Sequence, residues 1–306
     1  MIKYSIIIPH KNIPECLERC LKSIPEDPSI QVVVVDDNSD ADKIDKIKKL
    51  CNRTNVELVL TKEGKGAGYA RNKGLERAKG KWLLFSDADD YFEEGLLQKI
   101  NKYYDSVYDL IIFKFKTVDS ETLEELPSRV FGFEKAMRRK DYDYLRFGFG
   151  VPWSKMIRKS VVDEHNIRYE ETRTSNDVWF AGHVGYYARE VVTDNNIIYI
   201  SALRKGSLVN VENISSLEVR IGVGIRYNEF MESIHKNKYG CRVNYLTFIW
   251  YMKSVDYKAF KHHLKEYFNR ETLPHILGDF WRCFLGVVRH VMNPKSNNRK
   301  NVKLVK

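Results

Sequence analysis

The stretch "LLFSDADDYF", residues 83–92, sets three carboxylates, Asp87, Asp89 and Asp90, at the end of an apolar run. Acids this close repel one another and resist burial beside Leu83, Leu84 and Phe85. In extended chain, residues i and i+2 point the same way, so Asp87 and Asp89 address one volume beyond the strand. Two hard oxygen donors suit Mg2+ or Mn2+, which keep open positions for water and for the phosphates of a nucleotide diphosphate. A polar turn accounts for the same residues without any ligand, and a DxD pair alone does not decide. A second acidic pair, Asp36 and Asp37, follows four valines in "VVVVDDNSD". Asn38 and Ser39 favour an Asx-type turn there. The two acids equally offer acceptors to the base N–H and ribose hydroxyls of a nucleoside.

Other polar residues carry weaker signals. "GKGAGYARNKG", residues 64–74, places glycines at 64, 66 and 68, which is neither the dinucleotide fingerprint nor a phosphate loop ending in GK[ST]. A helix start carrying Arg71 and Asn72 still suits a phosphate, whereas Lys65 reads as a solvated loop lysine. Trp153 in "VPWSK" has two readings, a platform for a sugar ring or a core tryptophan. His183 follows Asp177 by six residues on one expected helix, so the two face apart. The paired histidines of "FKHHLK", 260–265, are adjacent on a helix and are not expected to share a metal site.

The elements that must position these residues alternate. "YSIIIP", "QVVVVDD", "VELVLT", "KWLLFSD" and "DLIIFKF" are short β-branched runs without clean alternation, as in strands covered on both faces. Helical stretches lie between them, from Pro14 to Ile24, Ala41 to Cys51, Tyr69 to Lys79 and Glu94 to Tyr104. Such alternation implies an α/β fold with a doubly wound, mostly parallel sheet, which binds ligands at the carboxyl ends of its strands. Both acid clusters fall on that rim. Beyond residue 115 come helical "FEKAMRRKDYDYLRF", turn-rich "GFGVPWSK", a helix from about Asn176 to Arg189 and the strand-like "NIIYIS". From Ser215 the chain reads almost wholly helical.

The 306 residues, 43% hydrophobic and 30% charged, describe an ordinary globular chain rather than a disordered one. Five scattered cysteines (Cys16, Cys20, Cys51, Cys241, Cys283) without a CxxC pair argue for reduced thiols in a cytoplasm. No signal-peptide core and no long uncharged apolar stretch occur in the sequence. The net charge is +10, and residues 251–306 hold 12 Lys/Arg against 4 Asp/Glu, a net of +8. That end is expected to meet phosphates or a membrane surface; no nucleic-acid partner is expected. Ile276, Leu277, Phe280, Trp281, Phe284, Leu285, Val288, Val291 and Met292 form an apolar helical stripe, followed by the basic tail "KSNNRKNVKLVK". The stripe fits either packing on the rest of the chain or a helix lying in the membrane interface.

Taken in order, "SIIIPHKN", "VVVVDDNSD", "GAGYARNKGL", "KGKWLLFSDADD", "VPWSKMIRKS" and "SNDVWFA" resemble the family 2 glycosyltransferases, over roughly residues 3–210. The resemblance implies a GT-A fold with a helical C-terminal extension. Residues 1–115 would be the nucleotide-sugar-binding half, 116–212 the acceptor-binding half and 213–306 the helical region. It implies inverting, metal-dependent transfer of a hexosyl or N-acetylhexosaminyl group from a nucleotide-sugar donor, expected to be a UDP-sugar. The acceptor would be a glycan or lipid-linked glycan of bacterial surface polysaccharide, made in the cytoplasm or peripherally on the inner face of the membrane. Pro9 and Asp37 would line the base with Asp36 close by, and Arg71 would sit beside the nucleotide. Asp87 would face the ribose or the waters of Mn2+ or Mg2+, Asp89 would be the metal ligand, and Asp90 a second one. Asp177 would be the general base, with Asn176 standing where the family usually has another acid, at the acceptor side with Trp153. Lys11 stands where the family commonly has an aromatic. Arg204 and Lys205 would offset the charge of the leaving diphosphate. Two other classes fit less well: a sugar-phosphate nucleotidyltransferase wants a glycine-rich loop where this chain reads "PHKNIPE", and a non-catalytic sugar-nucleotide or glycan binder has no need of a base.

Overall fold

The apolar run Tyr4–His10 forms β1 and is buried at every position. Ile30–Asp37 (β2) is likewise wholly buried, which explains its unbroken valines, and Val56–Thr61 (β3) is half-buried at the sheet edge. Between them run α1 (Pro14–Lys22), with proline at its first turn, and α2 (Ala41–Leu50). Then come α3 (Ala67–Arg77), β4 (Trp82–Phe85), β5 (Tyr91–Phe92), α4 (Leu96–Asn101) and β6 (Leu110–Asp119). Next are β7 (Glu125–Leu126), α5 (Phe133–Arg139), β8 (Lys155–Arg158), α6 (Lys159–Glu164), α7 (Asn176–Tyr187) and β9 (Val191–Leu203). The computed structural model describes residues 1–128, 130, 132–204, 211–212, 214–240, 246, 249–250, 252–253, 256–270, 272–273, 275–281 and 303–304. Two compact units divide the chain, Met1–Arg204 and Lys205–Lys306.

The sheet of the first unit runs β3-β2-β1-β4-β8-β6-β9-β5, with β7 beside β6. Strands β3, β2, β1 and β4 are mutually parallel, β8 is antiparallel to both its neighbours, and β6 and β9 are parallel again. Because these four strands run parallel, the connections through α1, α2 and α3 leave the carboxyl ends of β1, β2 and β4 on one rim, where the acids lie. The main core of the unit runs from Ile6 and Val34 through Phe85 and Ile111 to Phe149 and Tyr199, with smaller clusters around Val33 and Val35 and around Val118 and Ile200.

Several elements differ from the sequence expectation. The helical reading of "FEKAMRRKDYDYLRF" breaks at Lys140, whose φ of 52° ends α5, and the chain resumes as a π-helical turn, Tyr144–Gly148. Strand β8 begins at Lys155, the last residue of the stretch read as turn-rich, and α4 is shorter than expected at both ends, starting after Gly95 at φ 74° and stopping at Asn101.

In the second unit α8 (Ile214–Ser233) and α9 (Tyr257–Arg270) share a small core of Leu217, Ile221, Phe260 and Tyr267. Within the described part of the apolar stripe Ile276 packs against that core, whereas Leu277 and Trp281 are each 62% exposed; Asp279 is buried and accepts the Tyr267 hydroxyl at 2.9 Å. A carboxylate with a hydroxyl donor can be buried, and Leu277 and Trp281 are left at the surface. Phe284, Leu285, Val288, Val291 and Met292, Lys205, Cys241 and Cys283 lie outside the described residues, as does the basic tail apart from Lys303 and Leu304. Among the described residues no helix is long and apolar enough to cross a membrane.

Candidate functional site

The rim is built first from β1 and β2. Parallel register sets His10 beside Asp36 and Pro9, itself buried, beside Val35. His10 Nε2 accepts the Ile13 N–H at 3.2 Å, so its proton sits on Nδ1 and is donated to Asp36 Oδ1 at 2.7 Å. Asp36 also accepts the Ser39 hydroxyl at 2.5 Å and the Ser39 N–H at 2.9 Å. Burial alone would raise the Asp36 carboxyl, but these donors outweigh it and hold the group below its ordinary value. These three donors tie Asp36 to the ends of β1 and β2.

Asp37 differs. It is buried and accepts the Gly66 N–H at 2.8 Å on one oxygen, with Lys11 Nζ 3.8 Å away. Its other oxygen, Oδ1, is buried with no hydrogen-bond partner among the described residues. An acceptor left so is costly unless a ligand donates to it. Gly66, at φ 95°, caps α3 in a conformation closed to other side chains, which aims its N–H at Asp37.

Arg71 joins the strand-end acids to α7. Its guanidinium donates to Asp87 Oδ1 at 2.5 Å and to Asn176 Oδ1 at 2.7 Å, and it lies over the Tyr169 ring, 5.3 Å from the centroid. Asn176 spends its amide on the Thr172 carbonyl at 3.3 Å. Asn176 thereby orients Arg71 from the first turn of α7. Asp177, the next residue, is half-buried in the first turn of α7. Burial raises its carboxyl above the ordinary value; Asp87 adds to the rise, and Arg71 and Lys155 oppose it. Lys155 is itself buried, donating to the Phe149 carbonyl at 2.5 Å, and burial pushes its ammonium down to about 7.

Asp89 and Asp90 part company. Asp90 is buried, accepting the Tyr199 hydroxyl at 2.8 Å and the Ala202 N–H at 2.7 Å, and Tyr199 also accepts the Asp87 N–H at 3.0 Å. Asp90 therefore anchors the loop to β9, and its expectation as a second metal ligand is corrected. Asp89 remains partly exposed, paired with Arg204 Nε at 3.1 Å, while Arg19 holds its carbonyl at 2.8 Å. Burial and the neighbouring charge of Asp87 raise the Asp89 carboxyl despite Arg204. Asp87 and Asp89, both partly exposed at one strand end, are a donor set that fits a hard divalent cation.

Trp153 is 1% exposed, its ring stacked on Tyr199 at 5.0 Å and edge-on to Phe115 and Phe149. No face is left for a sugar, so the acceptor reading is corrected to core packing. The structure thus gathers Asp37, Arg71, Asp87, Asp89, Asp177 and Arg204 along one rim. Sequence reasoning missed His10, Lys155 and Tyr199. His10 and Lys155 stand inside the quoted motifs, where a polar residue within an apolar stretch was the available signal.

A family model described as Glycosyl transferase family 2 matches residues 5–165. Among curated relatives, the putative glycosyltransferase EpsH of Bacillus subtilis is 23% identical over 213 residues, covering 67% of this chain and 62% of EpsH. The poly(ribitol-phosphate) beta-N-acetylglucosaminyltransferase TarS of Staphylococcus aureus is 24% identical over 251 residues, covering 78% of this chain and 43% of TarS. The chain therefore spans less than two thirds of the length of these relatives. The crystal structure of S. aureus TarS 1–349 in complex with UDP-GlcNAc has a TM-score of 0.60 at 21% identity, covering 83% of this chain and 73% of that one. The mannosyltransferase PcManGT from Pyrobaculum calidifontis, in complex with GDP-Man and Mn2+, has a TM-score of 0.59 at 16% identity, covering 95% and 81%. These likenesses show the GT-A fold.

Proposed function

The chain belongs to glycosyltransferase family 2, and we propose that it moves a sugar, with inversion, from a nucleotide diphosphate to a hydroxyl of a glycan or lipid-linked glycan in surface-polysaccharide synthesis. The observation that carries this reading is Asp177, a carboxylate raised above its ordinary value at the edge of a cluster that is otherwise cationic or metal-suited. Asp177 accepts the proton of the attacking hydroxyl as that oxygen meets the anomeric carbon. Arg71 keeps Asp87 in place and, through Asn176, fixes the start of the helix that bears the base. Arg204, beside Asp89, offsets charge gathering on the departing diphosphate. A divalent cation, Mn2+ or Mg2+, held by Asp89 and Asp87 would supply Lewis-acid neutralisation of that same charge. Attack from the face opposite the leaving group inverts the centre, and one carboxylate suffices because no glycosyl-enzyme forms.

The unpartnered Oδ1 of Asp37 supports a base that presents an N–H, as uracil does. That TarS was crystallised with UDP-GlcNAc supports a UDP-sugar, hexosyl or N-acetylhexosaminyl, as the donor. The outward apolar residues Leu277, Phe280 and Trp281, close to the basic end of the chain, support a cytoplasmic enzyme lying peripherally on the inner membrane face. Incubating the protein with a set of nucleotide sugars and Mn2+, without acceptor, tests the core of the reading. Slow release of free sugar and nucleoside diphosphate from one donor is the expected result. Nucleoside triphosphate formed on adding pyrophosphate would indicate a nucleotidyltransferase, and binding without turnover a non-catalytic subunit.

A further inference from the structure

In the second unit α9 carries His262, His263 and Glu266. Adjacent helical residues are not expected to share a ligand, yet both imidazoles converge on one carboxylate oxygen. His262 Nε2 lies 3.7 Å and His263 Nδ1 3.4 Å from Glu266 Oε2, because Glu266 sits one turn on, at i+4 from the first and i+3 from the second. All three ligand atoms fall within 4.8 Å of one another. A cation bound tetrahedrally at about 2.0–2.2 Å holds its ligand atoms about 3.3–3.6 Å apart. The two pairs are thus already near the required spacing, and the rings, 62° from coplanar, do not stack in its way.

Two further observations point to a ligand. His263 is mostly buried, and its Nδ1 has no hydrogen-bond partner among the described residues. Its other nitrogen, Nε2, faces Glu218 Oε1 of α8 at 4.0 Å. A histidine that binds metal through one nitrogen usually turns the other N–H toward a carboxylate, which fixes tautomer and ring orientation. The shared core of α8 and α9 holds Glu218 in that position.

We propose that His262 Nε2, His263 Nδ1 and Glu266 bind a divalent cation of the Zn2+ class, with Glu218 as the partner that orients His263. Two imidazoles and one carboxylate favour Zn2+, Co2+ or Ni2+ over Mg2+ and Ca2+, which want oxygen alone. Three protein ligands leave a fourth position for water, and the bound ion fastens α9 to α8.

The test uses the full chain, stripped by chelator, in an Asp89→Asn background so that the strand-end carboxylates contribute little. Co2+ is titrated while the visible absorption of tetrahedral cobalt is followed. The expected result is one Co2+ per chain, displaced by Zn2+ and not by excess Mg2+. His262→Ala and Glu266→Gln each weaken binding tenfold or more. His262 is largely exposed, so its removal leaves the helix packing intact, and an unchanged circular dichroism spectrum checks this. Glu218→Gln, which keeps all three ligands, weakens binding about 10–100-fold. Absence of stoichiometric tetrahedral Co2+ in the parent, or equal affinity in His262→Ala and Glu266→Gln, overturns the site. Equal affinity in Glu218→Gln alone overturns the orienting role.

Discussion

Asp36 and Asp177 are the same residue type in opposite electrostatic situations. His10 and Ser39 satisfy Asp36 and hold it ionised, whereas Asp177 has burial against it and no donor that offsets it fully. Asp177→Asn should therefore leave donor affinity nearly intact by calorimetry and slow transfer about a hundredfold or more, the worth of a positioned base. Abolished donor binding in that variant would move Asp177 into the donor site. Its raised carboxyl sets the sign of the pH dependence: a base works deprotonated, so kcat falls as pH drops, on a limb above the ordinary carboxylate range. Below pH about 7 the nearby Lys155 is charged and opposes the rise. Lys155→Met should move the acid limb to higher pH; an unmoved limb would make Lys155 a packing residue only. For the metal assignment, Asp89→Asn should lose most transfer while melting as the parent does. Full activity of that variant, or of the parent in excess chelator, would falsify the role given to Asp89.

The site exists because α3 and α7 touch. Arg71 on α3 and Asn176 on α7 can bond only if the helix start passes close under the 170–172 segment, and Gly68 is what permits this. A Cβ at Gly68 would stand 2.1 Å from the Glu170 carbonyl oxygen and 3.0 Å from the Asn176 Cβ. Backbone cannot yield as a flexible side chain does. Gly68→Ala should cost about 1–3 kcal/mol, as overpacking does, and lower transfer with it. Gly150→Ala is the control, since its Cβ would meet nothing nearer than 3.9 Å. Equal melting of the two variants would show that the contact between the helices carries no strain.

At the scale of the whole chain, charge and apolar exposure are both concentrated near the end. Residues 251–306 supply +8 of the +10 net charge, and Leu277, Phe280 and Trp281 stand outward from the same region. Basic residues near an anionic surface contribute about 1 kcal/mol each, and an apolar helix face adds to this. Full-length protein should co-sediment with liposomes in proportion to their anionic lipid and less so at high salt. A version ending near residue 274 should lose most of that binding. Equal binding by both, or none by either at low salt, would leave the terminal helix as packing alone.

The sequence by itself determined the alternation of strands and helices. Short unbroken β-branched runs such as "QVVVVDD" read as strands covered on both faces, and proline and glycine marked the helix ends. It also determined that both acid clusters share one rim, since connections between parallel strands return each carboxyl end to the same side. Tertiary structure alone decided which acids remain available. Asp89 and Asp90 both read as metal ligands in sequence, but Tyr199, 109 residues from Asp90, occupies the second of them. Arg71 finds Asn176 at a separation of 105 residues. Trp153 has both readings until Tyr199, Phe115 and Phe149 close around it. Spacing along the chain reports which side of an element a residue takes. It carries no record of the donor that another element brings to it, and for a buried carboxylate that donor decides between support and chemistry.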